Sequence, residues 1–291
     1  MQPADSDTPI HETGLPVTAA DGATTQLLWR APKMPAHEVL YWMPALGVAA
    51  KHYLPLADAL AARGIAVAIH EWRGIGSSNR RAGRQTDWAY RQLLELDMPA
   101  GIATARSQWP DARYWIGGHS LGGQLATVYG ALHPQAFSGL ALVASGAPYW
   151  RRFPRSWLIG LAYVAAPWLA RLVGHLPGRR IGFGGNEARG VIDDWARTGR
   201  TGRYAARDMA DDMEAKLAAL HWPILTQRMH DDWLVPETSL DWLLGKMPLA
   251  SRRSYVLASS ELGHVRADHF SWMKAPGAIA GHIADWIDSG T

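Results

Sequence analysis

Apolar residues in this chain come in short runs, separated by segments where they recur every three or four positions. Residues 39–43 (V-L-Y-W-M), 65–69, 114–117, 140–143, 224–227 and 254–258 have the length and character of strands buried inside a sheet. Between them, residues 54–63 carry Leu56, Leu60 and Ala61 on one helical stripe and stop at Gly64. Residues 121–132 form a second helix that runs into His133-Pro134, and residues 279–288 a closing one. Residues 88–107 keep a helical period, with Pro99 and Gly101 predicting a kink. Strands alternating with helices predict an α/β domain with a mostly parallel, doubly wound sheet. The segment before Pro32 adds antiparallel edge strands. From residue 148 to about 213 the rhythm breaks into helical or irregular pieces rich in Arg, Trp and Gly. Such an insertion between two strands reads as a helical cap. The predicted organisation is a core over residues 1–147, a cap over 148–215, and the rest of the core over 216–291.

Composition narrows the chemistry. A chain of 291 residues that is 48% hydrophobic and 19% charged can bury a large core and is not disordered. The absence of Cys excludes disulfides, thiolate metal sites and a cysteine nucleophile. A net charge of +3, with arginines scattered in small groups, argues against a nucleic-acid surface. Residues 1–8 lack a secretory pattern, so a cytoplasmic location is expected. The longest apolar stretch, residues 157–170, is interrupted by Pro167 and closed by Arg171, and no stable membrane insertion is expected. No His-Glu-x-x-His helix and no complete dinucleotide fingerprint occur, so neither metal nor cofactor is expected.

The segment Gly117-Gly118-His119-Ser120-Leu121-Gly122-Gly123 contains Gly-x-Ser-x-Gly between a predicted strand and a predicted helix. That context fits a nucleophile elbow. The serine sits on a strained turn, small residues flank it, and the helix N-terminus faces developing negative charge. Further on, Pro223 to Pro236 offers adjacent carboxylates at Asp231 and Asp232, and Gly263-His264 follows the last predicted strand.

With these motifs the chain resembles the α/β-hydrolase superfamily, in its monoglyceride-lipase and serine-aminopeptidase-like branch. The resemblance covers roughly residues 39–143 and 220–286 and is poor in the cap. It implies a triad of Ser120 as nucleophile, Asp232 as acid and His264 as base, with Asp231 and His269 as the second choices. Met229 stands where the family has Gly. Pro44-Ala45-Leu46-Gly47 resembles the family's His-Gly-x-Gly loop, which implies the backbone N–H groups of Leu46 and Leu121 as oxyanion donors. Glu71-Trp72-Arg73-Gly74-Ile75-Gly76-Ser77-Ser78 is similar to a further family loop, and Arg73 and Ser77 are expected to hold it by hydrogen bonds.

The expected activity is hydrolysis of a carboxylic ester or thioester through an acyl-enzyme. The expected partner is a small, apolar acyl substrate, with Trp150, Trp157 and Trp168 as candidate pocket residues. Acyl transfer, an aminopeptidase-like amidase using cap acids such as Glu187, Asp193, Asp194, Asp211 and Asp212, and a non-catalytic binding module are the alternatives. Sequence sets neither the acyl group nor the oligomeric state.

Overall fold

The computed structural model describes residues 14–290, so the reading of residues 1–8 lies outside the described residues. Ten strands occur in chain order: β1 (Leu15–Thr18), β2 (Thr24–Arg30), β3 (Glu38–Met43), β4 (Ile65–Ile69), β5 (Arg113–His119), β6 (Leu140–Val143), β7 (Leu176–Pro177), β8 (Asn186–Glu187), β9 (Pro223–Met229) and β10 (Ser251–Leu257). Eight of them form one sheet in the order β1-β2-β4-β3-β5-β6-β9-β10. It is parallel from β4 to β10, while β1 and β2 are the expected antiparallel edge. β7 and β8 pair as a short antiparallel clip.

The helices are α1 (Leu54–Ala61), α2 (Tyr90–Gln92), α3 (Met98–Gln108), α4 (Leu121–Leu132), α5 (Ser156–Val173), α6 (Gly178–Ile181), α7 (Arg189–Thr201), α8 (Met213–Ala218), α9 (Glu237–Leu244) and α10 (Gly277–Asp288). They cover both faces of the sheet, and β3 shows how. Leu40 and Trp42 join a core with α1 and α10, while Val39, Tyr41 and Met43 join a second core with α3 and α4. Period-two alternation with both faces apolar is why this strand reads as one continuous run. In the first core, Trp115 and Trp286 meet edge to face with ring centroids 4.7 Å apart. Emptying such a site typically costs about 3–5 kcal/mol.

Two predicted irregularities resolve differently. The helix over residues 88–107 widens into a π-turn at Leu93–Asp97 and then continues, with Pro99 accommodated in the first turn of α3. Gly101 breaks nothing. It leaves room for the Tyr41 hydroxyl, which donates to His70 Nδ1 at 2.8 Å. Burial keeps His70 neutral by lowering its pKa to about 3.

Nor does Pro167 interrupt its helix, because α5 runs unbroken for 18 residues. Proline cannot donate to the carbonyl four residues back, which is that of Tyr163. Arg200, from α7, donates to that carbonyl instead, at 2.7 Å.

Arg73 and Ser77 hold their loop as expected. The Arg73 guanidinium is buried between Asp97 and Asp21, with contacts of 2.5–3.1 Å, and Ser77 Oγ accepts from the Gln26 amide at 2.9 Å. The helices α5, α6 and α7 and the β7–β8 clip fill the stretch between β6 and β9. Helix α8 lies across the expected boundary at residue 215, and its Met213 and Leu217 pack in the same core as Leu125 of α4.

Candidate active site

The strand order reverses direction around β3, and β5 beside it ends where ligands bind in open parallel sheets. β5 stops at His119, α4 starts at Leu121, and Ser120 makes the turn between them with φ 55° and ψ −124°. A residue other than glycine at positive φ is strained and persists only where its surroundings hold it there. They do so here. A Cβ on Gly118 would come within 2.6 Å of the Gly122 carbonyl carbon, and one on Gly122 would collide with the Met43 carbonyl of β3. The Ser145 hydroxyl donates to the Ser120 carbonyl at 2.8 Å and fixes the base of the turn.

Asp232 follows β9 on a tight turn. Its Oδ1 accepts from the amides of Leu234 (2.9 Å) and Val235 (3.2 Å), and its side chain is fully buried. Its Oδ2 lies 2.7 Å from His269 Nδ1. A carboxylate can only accept, so the ring donates from Nδ1 and keeps Nε2 free to take a proton. Asp231 instead pairs with His230 at the surface, at 2.7 Å, which separates the two adjacent acids by role.

The expected partnership of Asp232 with His264 is corrected to His269. His264 is exposed, has φ 65°, and sits on the turn directly after β10. The chain needs the next few residues to travel back over the sheet. Asp231 donates its amide to Ala267 at 2.9 Å, Asp268 accepts from the Phe270 and Ser271 amides, and Trp272 Nε1 donates to the His269 carbonyl at 3.0 Å. These bonds seat His269 beside the elbow, its ring 4.7 Å from that of His119, the residue before Ser120.

His119 and Tyr53 are site residues that the sequence did not single out. The Ala45 amide donates to the Tyr53 hydroxyl at 2.8 Å, and that hydroxyl donates to His119 Nδ1 at 2.8 Å. Burial, reinforced by His269, holds His119 neutral, with its pKa well below the usual value. The relay links the loop bearing Leu46 to the elbow. Its sequence signal is a Tyr eight residues after Ala45, which is too common to stand out.

Leu46 and Leu121 line one small space with Gly47, Trp72, Trp88, Leu93, Val191, Glu187 and Arg73. Among the described residues neither leucine amide donates a hydrogen bond, so both are available to an oxyanion. The space is only about 10 Å³, room for roughly one water. The insertion closes it. A Cβ on Gly47, whose φ is +76°, would strike the backbone of Gly184 and Gly185. The Gly185 amide donates to Glu187 Oε1 at 2.7 Å, and burial raises Glu187 to about 7.

The candidate pocket tryptophans are elsewhere. Trp157 is 66% exposed and Trp168 is 68% exposed, both on the outer side of α5. Trp150 is half-buried under Gly160, with Arg151 over its ring at 5.0 Å. Aromatic walls do exist, but Trp72 and Trp88 of the core provide them.

The Glu187 carboxyl has a testable consequence. Below its ordinary pKa of 4.5 it is protonated whether the 178–187 segment is closed or open, and opening is indifferent to pH. Between there and about 7, opening exposes the group and releases a proton, so opening becomes about tenfold easier per pH unit. Amide exchange at Gly185, corrected for the intrinsic base-catalysed rate, should accelerate accordingly and then level off. Glu187→Gln should remove that slope. Slower corrected exchange as pH rises would show that the carboxylate tightens the clip instead.

The family described as "Serine aminopeptidase, S33" matches residues 35–259. No curated protein matches the chain. Among solved structures, a hydrolase from Pseudomonas aeruginosa PA01 is similar at 17% identity and a TM-score of 0.59, over 95% of this chain and 99% of that one. A thioesterase domain from the curacin biosynthetic pathway is similar at 18% identity and a TM-score of 0.61, over 94% and 99%. An esterase from Pyrococcus furiosus reaches a TM-score of 0.61 at 12% identity, over 99% and 96%. At these identities the structures establish the fold alone. The sequence match extends over most of the chain and both halves of the sheet, and so the protein belongs to the S33 serine aminopeptidase-like family of hydrolases with the α/β-hydrolase fold.

Proposed function

We propose that the protein is a serine hydrolase that cleaves a carboxylic ester or thioester through an acyl-enzyme. The observation that carries this reading is the pairing of a strained Ser120 on the elbow with a buried Asp232–His269 couple at 2.7 Å. Ser120 attacks the acyl carbonyl while His269 Nε2 takes its proton. The Leu46 and Leu121 amides receive the oxyanion, and the leaving group departs with the proton from His269. Water, activated by the same ring, then releases the acid. Asp232 holds the imidazole in the accepting tautomer. The insertion acts as a cap, and an acyl chain would reach the apolar walls at Trp72, Trp88, Leu93 and Val191 only once the insertion moves aside.

A second reading has one observation in its favour. Of the seven acids in residues 148–215, only Glu187 lines the space shared with Leu46 and Leu121, where a carboxylate could receive a free amine. Asp193 and Asp194 are engaged by arginines, and Asp212 caps α8. An aminopeptidase-like amidase would therefore rest on Glu187.

A fluorophosphonate probe should label the wild type and leave Ser120→Ala unlabelled; labelling that persists in the variant would sink the nucleophile assignment. A chain-length series of p-nitrophenyl esters, beside acyl-CoA thioesters and aminoacyl anilides, then separates the two readings. Preference for the anilides, lost in Glu187→Gln, would favour the amidase.

A further inference from the structure

Helix α5 is apolar, yet only Tyr163, Pro167 and Ala170 of its residues are buried, all toward α7 and the clip. Its other side leaves Trp157, Leu161, Val164, Trp168 and Leu172 to solvent, and Leu172 is 73% exposed. The spacing of four, three, four and four places them on one face. A continuous exposed apolar face of this kind marks an interaction surface.

Its surroundings select the partner. From residue 148 to 186 the sequence has arginine at 151, 152, 155, 171, 179 and 180 and neither Asp nor Glu. All six are exposed, and among the described residues only Arg171 meets a carboxylate, that of Asp193. Arg151, Arg152 and Arg155 precede the first turn of α5, Arg171 lies in its last turn, and Arg179 and Arg180 follow it. Apolar side chains with two tryptophans, bounded by arginine in a segment that carries no acid of its own, have the composition of a helix lying in a membrane interface. We infer that α5 docks the protein on the surface of an anionic phospholipid bilayer. The arginines take the lipid phosphates, and the 157–172 face enters the headgroup boundary.

Length alone would also let α5 cross a bilayer, since its 18 residues have a mean hydropathy of 1.4. Packing decides against it. Crossing would strip Tyr163 from Trp195, Arg171 from Asp193 and the Tyr163 carbonyl from Arg200, whereas lying flat keeps all three.

The test is co-sedimentation of the full chain with vesicles of POPC alone or POPC with about one third POPG, at low and high salt. Binding to the anionic vesicles at low salt should exceed binding to the neutral ones about tenfold or more, and high salt should reduce it. Leu161→Glu with Leu172→Glu should abolish binding while the thermal midpoint stays put. Arg155→Gln with Arg179→Gln and Arg180→Gln should lower only the anionic binding, by about tenfold or more. Equal binding to both vesicles, or wild-type binding by the leucine variant, would overturn the inference. So would a stable dimer in sedimentation equilibrium that the leucine variant dissociates, because a second copy would then cover the face.

Discussion

His269→Ala should lower turnover of any ester the protein cleaves by about 10⁴-fold or more, while His264→Ala stays within about twofold. Both variants change a histidine in the same loop, so the contrast tests position and not composition. His269 is buried against Asp232, with its ring tilted beside that of His119, the residue before Ser120. In the mechanism proposed above, losing it removes the proton acceptor for Ser120 and the donor for the leaving group in one change. His264 offers only its amide, which donates to the Ser259 carbonyl at 2.9 Å, and alanine keeps that bond. The measurement is kcat on a short p-nitrophenyl ester, with the thermal midpoint as the check on folding. Equal losses in both variants would mean that the loop, and not the ring of His269, supports the reaction.

Asp232→Asn should cost about 10⁴-fold in kcat with little change in stability, whereas Asp231→Asn is close to neutral. The asparagine carbonyl can still accept from the Leu234 and Val235 amides, so the turn survives. Its amide nitrogen must then face His269 Nδ1, and an N–H there can only donate. The ring is driven to the opposite tautomer, with its proton on Nε2, and it can no longer receive the serine proton. The signature is a loss of kcat with KM preserved, since nothing that touches the acyl group has changed. Full activity in Asp232→Asn would remove this carboxylate from the reaction.

What the sequence made legible follows from how local each feature is. The buried strands could be read because both of their faces are apolar, and two of the six, over 65–69 and 140–143, both start and end where predicted. The elbow was equally legible. Its strain, its glycines and its helix start all lie within a few residues of Ser120. Asp232 sits on a turn that closes on itself, so its register followed from the motif.

The histidine that meets Asp232 did not follow, because His269 is placed by a returning loop whose length no local rule fixes. Four residues lie between the histidine nearest the strand, His264, and the one that reaches the acid, His269. Trp157 and Trp168 failed for a related reason. A helix that is apolar almost all round does not say which face meets the molecule, and only the position of α7 settles it. Glu187 and Gly47 touch one space from opposite halves of the chain, a juxtaposition that no spacing along the sequence encodes.

The bond from Arg200 to the Tyr163 carbonyl bears on how the insertion assembles. Pro167 leaves α5 one backbone bond short at its middle, and proline inside a helix costs about 3 kcal/mol or more when nothing compensates. The compensation arrives on α7, from a side chain 37 residues further along. An isolated α5 is thus a weak helix with a soft centre, and it gains continuity only once α7 has docked. The two helices therefore order and disorder together as one cooperative unit, and loosening it also frees the core's Tyr90 amide from Asp194, a bond of 3.0 Å.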